Sequence, residues 1–164
     1  MVKVFLKKGD KELSHEFLFS LLNSEYNFSA DESMIKKSAN GKPFIENCPI
    51  KFSITHSKGN IAVAFSESEI GVDEEVVKSS FPERAIFSVT PSSAKEYALL
   101  WTKAESFVKL NAGSILLDLK KIDLSNGVKY DGKIIDINFL TFIKNDLVLT
   151  VATKETSLSV TELD

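Results

Sequence analysis

The sequence predicts an α+β fold from three observations: two segments with apolar residues at helical spacing, a series of short apolar runs between turn signals, and enough apolar residues to bury a core. Val2 to Leu6 alternates weakly and reads as a strand. Ser14 to Leu22 follows as a first helix, with Phe17, Leu18, Leu21 and Leu22 on one side and Ser14 as its N-cap. Asn40-Gly41-Lys42-Pro43 is a turn signal. Phe52 to His56 and Ile61 to Phe65 then form a hairpin through Lys58-Gly59-Asn60, and Ile70 to Val77 supplies a third apolar piece. A longer helix runs from about Ser93 to Leu110. After it, Asn126-Gly127, Asp131-Gly132 and Lys144-Asn145-Asp146 punctuate Ile134 to Ile143 and Leu147 to Ala152, the rhythm of an antiparallel meander. The order helix, then hairpin strands, occurs twice without a sequence repeat. A single domain over residues 1–164 is expected, with similar halves 1–70 and 71–164.

Composition narrows the function classes. Of the residues 43% are apolar, with 12 Phe, 3 Tyr and 1 Trp, so wholesale disorder is excluded. The net charge of −3 lacks the basic footprint of a nucleic-acid binder. Arg84 is the one arginine, so an anion site must be built mostly from lysine point charges. Cys48 stands alone, which excludes an internal disulfide and suits a reducing compartment. Charge breaks the N-terminal segment too early for a signal peptide, and no run is long enough for a membrane span. A cytoplasmic protein with no nucleic-acid or membrane partner is expected.

Dinucleotide, P-loop, hydrolase-elbow and paired-cysteine signatures are absent. Four shorter features remain, each commonplace alone. In Gly41-Lys42-Pro43, the proline biases Lys42 toward extended backbone, so a lysine projects from a constrained loop. In Phe52 to Ser57, period two puts Phe52, Ile54 and His56 on one face, with the Thr55 and Ser57 hydroxyls on either side of the imidazole. In Gly71-Val72-Asp73-Glu74-Glu75, Asp73 and Glu75 share a strand face, and two repelling hard carboxylates suit Mg²⁺. In Trp101 to Lys109, Trp101, Ala104, Phe107 and Val108 form an apolar stripe, with Trp101, Glu105 and Lys109 stacked along its edge.

In this order the four features resemble the motifs of the Sfp-type 4′-phosphopantetheinyl transferases: G-K-P, F-N/S-I/L-S/T-H-S, G-I/V-D-I/V-E and W-x-x-K-E-S/A-x-x-K. The match covers about residues 41 to 109. The resemblance implies two similar α+β halves packed as a pseudo-twofold, with coenzyme A and Mg²⁺ in the cleft. It also implies transfer of the phosphopantetheine arm of coenzyme A to a serine of an apo acyl or peptidyl carrier protein, releasing 3′,5′-ADP. By similarity, Asp73, Glu75 and Glu105 would hold Mg²⁺, and Glu105 or a water beside it would be the base. Lys109 would neutralise the transferring phosphoryl group. His56 with Thr55 would donate to the diphosphate or its neighbour phosphate, and Lys42 would contact the nucleotide end. A monomer is expected, because the two halves would already form the cleft.

The match has departures. Ala104 stands where the family has lysine, and Glu74 replaces an apolar residue on the face of Val72 and Val76. Either the strand ends early or Glu74 replaces Glu75 as ligand; the D-x-E spacing favours Glu75. Ala112-Gly113-Ser114-Ile115 replaces the family's G-x-G-L, and the first helix carries His15-Glu16 where arginine is usual. These departures motivate a second expectation, a non-catalytic relative that binds coenzyme A or a carrier protein.

Overall fold

A computed structural model describes residues 1–111 and 119–164; the Ala112 to Ile115 departure lies outside the described residues. The chain is a mixed α+β protein. Strand β1 (Val2–Lys8) leads into helix α1 (Ser14–Tyr26), followed by a small hairpin of β2 (Ile35–Lys37) and β3 (Pro43–Ile45). Next come β4 (Lys51–Ser57), β5 (Asn60–Ser66), β6 (Ile70–Val76) and helix α2 (Ala94–Asn111). A three-stranded ribbon, β7 (Ile122–Asp123), β8 (Lys129–Tyr130) and β9 (Lys133–Ile134), precedes β10 (Asn138–Lys144), β11 (Leu147–Thr153) and β12 (Leu158–Leu163).

Two sheets carry the fold, ordered β12-β1-β5-β4 and β10-β11-β6. Within them β1-β5-β4 and β6-β11-β10 have the same order and the same antiparallel pairing, and each inserts its helix between first strand and hairpin. Strand alternation then sorts the side chains into layers. Phe5, Val63 and Phe65 pack with Phe17, Leu18, Leu21 and Leu22 of α1. The intervening Val4, Leu6, Ala62 and Ala64 pack against Ile70, Val72, Leu149 and Val151 of the second sheet. Helix α2 covers that sheet's far face on β6 and β11. The layers are therefore helix, sheet, sheet, helix.

Local chemistry accounts for the elements. Lys58 (φ 43°) and Gly59 (φ 77°) make the two-residue left-handed turn that matches strand twist in the β4–β5 hairpin. Each apolar side chain that α1 buries contributes about 1.5–3 kcal/mol. Ser14 is not the N-cap of this helix. Its hydroxyl donates to the Lys11 carbonyl at 2.6 Å from the first helical position, because a short 3-10 turn (Lys11–Leu13) runs directly into α1.

The buried face of α2 also differs from the expected apolar stripe. Ala98, Thr102, Ala104, Ser106 and Phe107 are buried, whereas Trp101 and Val108 are only half-buried. The cause is a close approach. A Cβ added to Gly71 of β6 would lie 2.0 Å from the Ser106 carbonyl oxygen and 2.4 Å from the Leu110 nitrogen. Only small side chains fit so near the sheet, and the Thr102 hydroxyl finds its partner in Thr150 Oγ1 of β11 at 2.9 Å.

Candidate functional site

Strands β4 and β6 lie side by side without a backbone ladder, and side chains join them instead. Ser53 Oγ accepts a hydrogen bond from the Val72 nitrogen at 3.1 Å. One step along, Thr55 Oγ1 donates to Asp73 Oδ1 at 3.3 Å. Lys109, in the last turn of α2, reaches over and donates to the same Oδ1 at 2.7 Å and to Thr55 Oγ1 at 3.2 Å. Residues from three of the four sequence motifs therefore meet at one point. Asp73 is buried, and burial raises its carboxyl above the usual range against the lowering influence of Lys109 and Thr55.

Glu105 lies one helical turn before Lys109 and is half-buried. Burial raises its carboxyl first, and the Asp73 charge second. Among the described residues it forms no hydrogen bond or ion pair, and both side-chain bonds to Asp73 fall on Oδ1 rather than Oδ2. Two hard carboxylates that oppose each other's ionisation fit a divalent ion in donor chemistry. Glu75 shares the Asp73 face of β6, but its carboxylate lies 3.3 Å from the Lys78 ammonium. Among the described residues no three acidic, histidine or cysteine side chains are gathered closely enough to hold a metal ion.

The strand continues through Glu74 to Val76, so the alternative of an early strand end is overturned. Glu74 points to the inter-sheet side with Val72. It is only 2% exposed, and among the described residues neither carboxylate oxygen accepts a hydrogen bond. Burial, with the neighbouring Asp73 charge, pushes its carboxyl up to about 7.

Thr55 and His56 point to opposite faces of β4. Thr55 is buried toward β6, while His56 is exposed on the α1 side of its sheet, past Phe52 and Ile54. Burial lowers the imidazole first, then the charges of Lys11 and Lys109, against the opposing charges of Glu12 and Asp73.

Lys42 follows Gly41, whose left-handed φ of 85° closes the β2–β3 loop. Its ammonium donates to the Ile70 carbonyl at 2.8 Å and lies 3.6 Å from Glu69, which clamps this loop to the start of β6. Burial pushes it below the usual lysine range. It borders a cavity of about 610 Å³ lined also by Phe44, Cys48, Lys51, Phe52 and Leu110.

The chain matches no protein-family model and no curated protein sequence. No helix among the described residues is long and apolar enough to cross a membrane.

Sequence reasoning missed the burial of Glu74, the role of Gly71 in letting α2 approach, and a second cavity beside Trp101. Tyr97 is the signal for that cavity, because it lies four residues before Trp101 and extends the helix edge on which Glu105 and Lys109 lie.

Proposed function

We propose that this protein transfers the 4′-phosphopantetheine arm of coenzyme A to a serine hydroxyl of an apo acyl or peptidyl carrier protein, releasing 3′,5′-ADP. The reading rests on the motif resemblance, with the two sheets as pseudo-twofold halves. The single observation that supports it is the meeting of Thr55, Asp73 and Lys109 within hydrogen-bond distance. A paired acid and lysine beside a second, unpaired acid is what a diphosphate-cleaving site requires: a cation for the phosphoryl oxygens and a sink for a proton.

In this reading the serine oxygen forms a bond to the phosphorus that carries the arm, and the bond from that phosphorus to the 3′,5′-ADP oxygen breaks. Glu105 takes the serine proton. Burial and the Asp73 charge raise its pKa, which makes it a better base than an ordinary carboxylate. Lys109 donates to the phosphoryl oxygens as charge moves onto them, and its bonds to Asp73 and Thr55 hold it in position. Asp73 and Glu105 would hold Mg²⁺, which when bound neutralises the diphosphate and polarises its phosphorus; Glu75, the third ligand that the resemblance implies, is paired with Lys78 instead. Lys42 and Lys51 serve the nucleotide end in the cavity they line. His56, on the other face of β4, is assigned only to a phosphate lying beyond the strand end.

A second reading, binding of coenzyme A or a carrier protein without transfer, is favoured by Ala104. It is fully buried among Phe107, Ile122 and Val128, where the family's lysine has no counterpart. One experiment separates the two readings. The protein is incubated with coenzyme A, Mg²⁺ and an apo carrier protein, and the carrier is weighed by mass spectrometry. A carrier heavier by one phosphopantetheine arm supports transfer; coenzyme A binding with no mass gain supports the second reading.

A further inference from the structure

Asn-Gly occurs twice in the chain, at Asn40-Gly41 between β2 and β3 and at Asn126-Gly127 between β7 and β8. This dipeptide carries a reaction of its own. The backbone nitrogen of the second residue can attack the side-chain carbonyl carbon of the asparagine, and glycine, with no Cβ, hinders that approach least. In a folded chain the outcome depends on what that nitrogen already does. A nitrogen that donates a hydrogen bond is held in its peptide plane and must first give up that bond.

Backbone conformation does not distinguish the two turns, since Gly41 (φ 85°) and Gly127 (φ 77°) are both left-handed. Hydrogen bonding and exposure do. The Gly41 nitrogen donates to the Ser38 carbonyl at 2.9 Å, the Ser38 nitrogen donates to the Lys42 carbonyl at 2.9 Å, and the Lys42 nitrogen donates to Ser38 Oγ at 3.1 Å. These bonds close the turn on both sides of a half-buried Asn40, and the Lys42 ammonium anchors it to the Ile70 carbonyl. Asn126 and Gly127 are both exposed, and among the described residues the Gly127 nitrogen donates no hydrogen bond. The bonds of this loop fall to either side of the pair. The Leu124 nitrogen donates to the Phe87 carbonyl, the Ser125 nitrogen and hydroxyl donate to Asp123 Oδ1, and the Ile135 nitrogen donates to the Val128 carbonyl.

We infer that Asn126 is a site of spontaneous deamidation in the folded protein, and that the fold protects Asn40, which has the same neighbour. The inference is independent of the transfer reading. The Gly127 nitrogen gives up its proton and bonds to Asn126 Cγ, the bond from Cγ to the side-chain nitrogen breaks, and ammonia leaves with that proton. A cyclic imide results. Water then opens it: attack at Cγ breaks the new bond and gives aspartate, whereas attack at the backbone carbonyl carbon gives isoaspartate, with the chain rerouted through Cβ and Cγ. One water enters and one ammonia leaves, so no oxidant or metal is needed. Either product adds a carboxylate to a chain whose net charge is already −3. Isoaspartate also adds one backbone atom to the loop. Ile122 and Val128, which flank the loop, are buried with Ala104 and Phe107, so the exposed residues between them take up that atom. The product is an acceptor for enzymes that methylate isoaspartyl carboxylates.

The test ages the wild-type protein in warm buffer at pH 8, folded and in urea, and follows both asparagines by proteolysis and mass spectrometry. In the folded sample the peptide containing Asn126 is expected to gain the mass of amide-to-acid conversion and to separate into two isomers, isoaspartate the more abundant. The Asn40 peptide should convert about tenfold more slowly, the scale of one hydrogen bond that must open first. In urea the two should convert at similar rates. An isoaspartate methyltransferase should label the aged folded protein at position 126 and leave position 40 unlabelled. No conversion at Asn126 in the folded protein, or conversion of Asn40 at an equal or greater rate, overturns the inference. A rate gap that persists in urea overturns the protection of Asn40 by the fold. Every arm uses the wild-type chain, so no variant has to fold.

Discussion

Lys109 Nζ lies 2.7 Å from Asp73 Oδ1, and this bond ties the last turn of α2 to the middle of β6 across 36 residues of sequence. The acid is buried, so its charge depends on the lysine. Lys109→Met keeps the aliphatic stem and removes that cation. The expected loss at pH 8 is about 1–3 kcal/mol, the cost of leaving a buried charged group without its partner. Without Lys109 the Asp73 carboxyl rises further, and an acid with a raised folded pKa loses stability as pH rises. Urea unfolding should therefore show a smaller loss at pH 5 than at pH 8; equal losses would place the contribution elsewhere.

Glu74 sets a pH dependence of its own. Its folded pKa of about 7 lies above the ordinary value of 4.5, so the native state binds its proton more tightly than the unfolded state does. The associated stability is present below about 4.5 and is lost as pH rises through about 7. Glu74→Gln keeps the shape without the charge and should stabilise the protein at pH 8 by up to about 3 kcal/mol in the absence of divalent ions. At pH 4 the gain should vanish. Denaturant midpoints at the two pH values, measured with a chelator present, check both parts.

Gly71 fixes how near α2 lies to β6. Gly71→Ala would put a methyl group within 2.0 Å of the Ser106 carbonyl, so the helix backbone must move. A destabilisation of about 1–3 kcal/mol is expected from overpacking, with a larger fractional loss of transfer, because Lys109 rides on the displaced turn. Thermal unfolding and transfer rate on the same sample measure the two effects. A wild-type melting temperature would mean the helix yields without cost.

The Glu105 carboxylate separates chemistry from packing. Glu105→Gln preserves its size, so the fold should hold, and without metal stability should be equal or higher as repulsion with Asp73 is relieved. Turnover should fall by at least roughly a hundredfold if this group takes the serine proton. Wild-type turnover in the variant would remove Glu105 from the step.

Metal dependence gives a binding test. Chelation should abolish transfer, and Asp73→Ala should weaken coenzyme A binding with Mg²⁺ present while changing it little without the ion. Calorimetry under the two conditions decides, and identical affinities of variant and wild type at saturating Mg²⁺ would exclude Asp73 as a ligand.

The elements most legible in the sequence are those with strong local signals. The β4–β5 hairpin follows from alternation around Lys58-Gly59, and α2 follows from its apolar spacing, within a residue or so at each end. The buried face of α2 was less legible. Thr102 and Ser106 are polar in sequence, yet both are fully buried, because the sheet approaches at a glycine and supplies a hydroxyl partner. The site shows the same division. That Asp73 and Glu75 share a strand face is local information, whereas the pairing of Asp73 with Lys109 depends on where α2 crosses β6. Glu75 turns to Lys78 through a neighbour only three residues away, a contact that the motif pattern does not encode. The opposite orientation of Thr55 and His56 follows from strand period two, but which face looks toward β6 is set by the second sheet.

Strand β12 pairs in parallel with β1, Val2 opposite Leu158 and Lys7 opposite Leu163. During synthesis β1, α1, β4 and β5 emerge early, and their hydrogen-bond ladders can close among themselves. The outer edge of β1 stays bare until residues 158–163 have been made, and for that interval it is open to pairing with another nascent chain. Its final partner must be brought back from Leu158 to Val2, so the loop-closure entropy of that pairing is met before the ladder contributes anything.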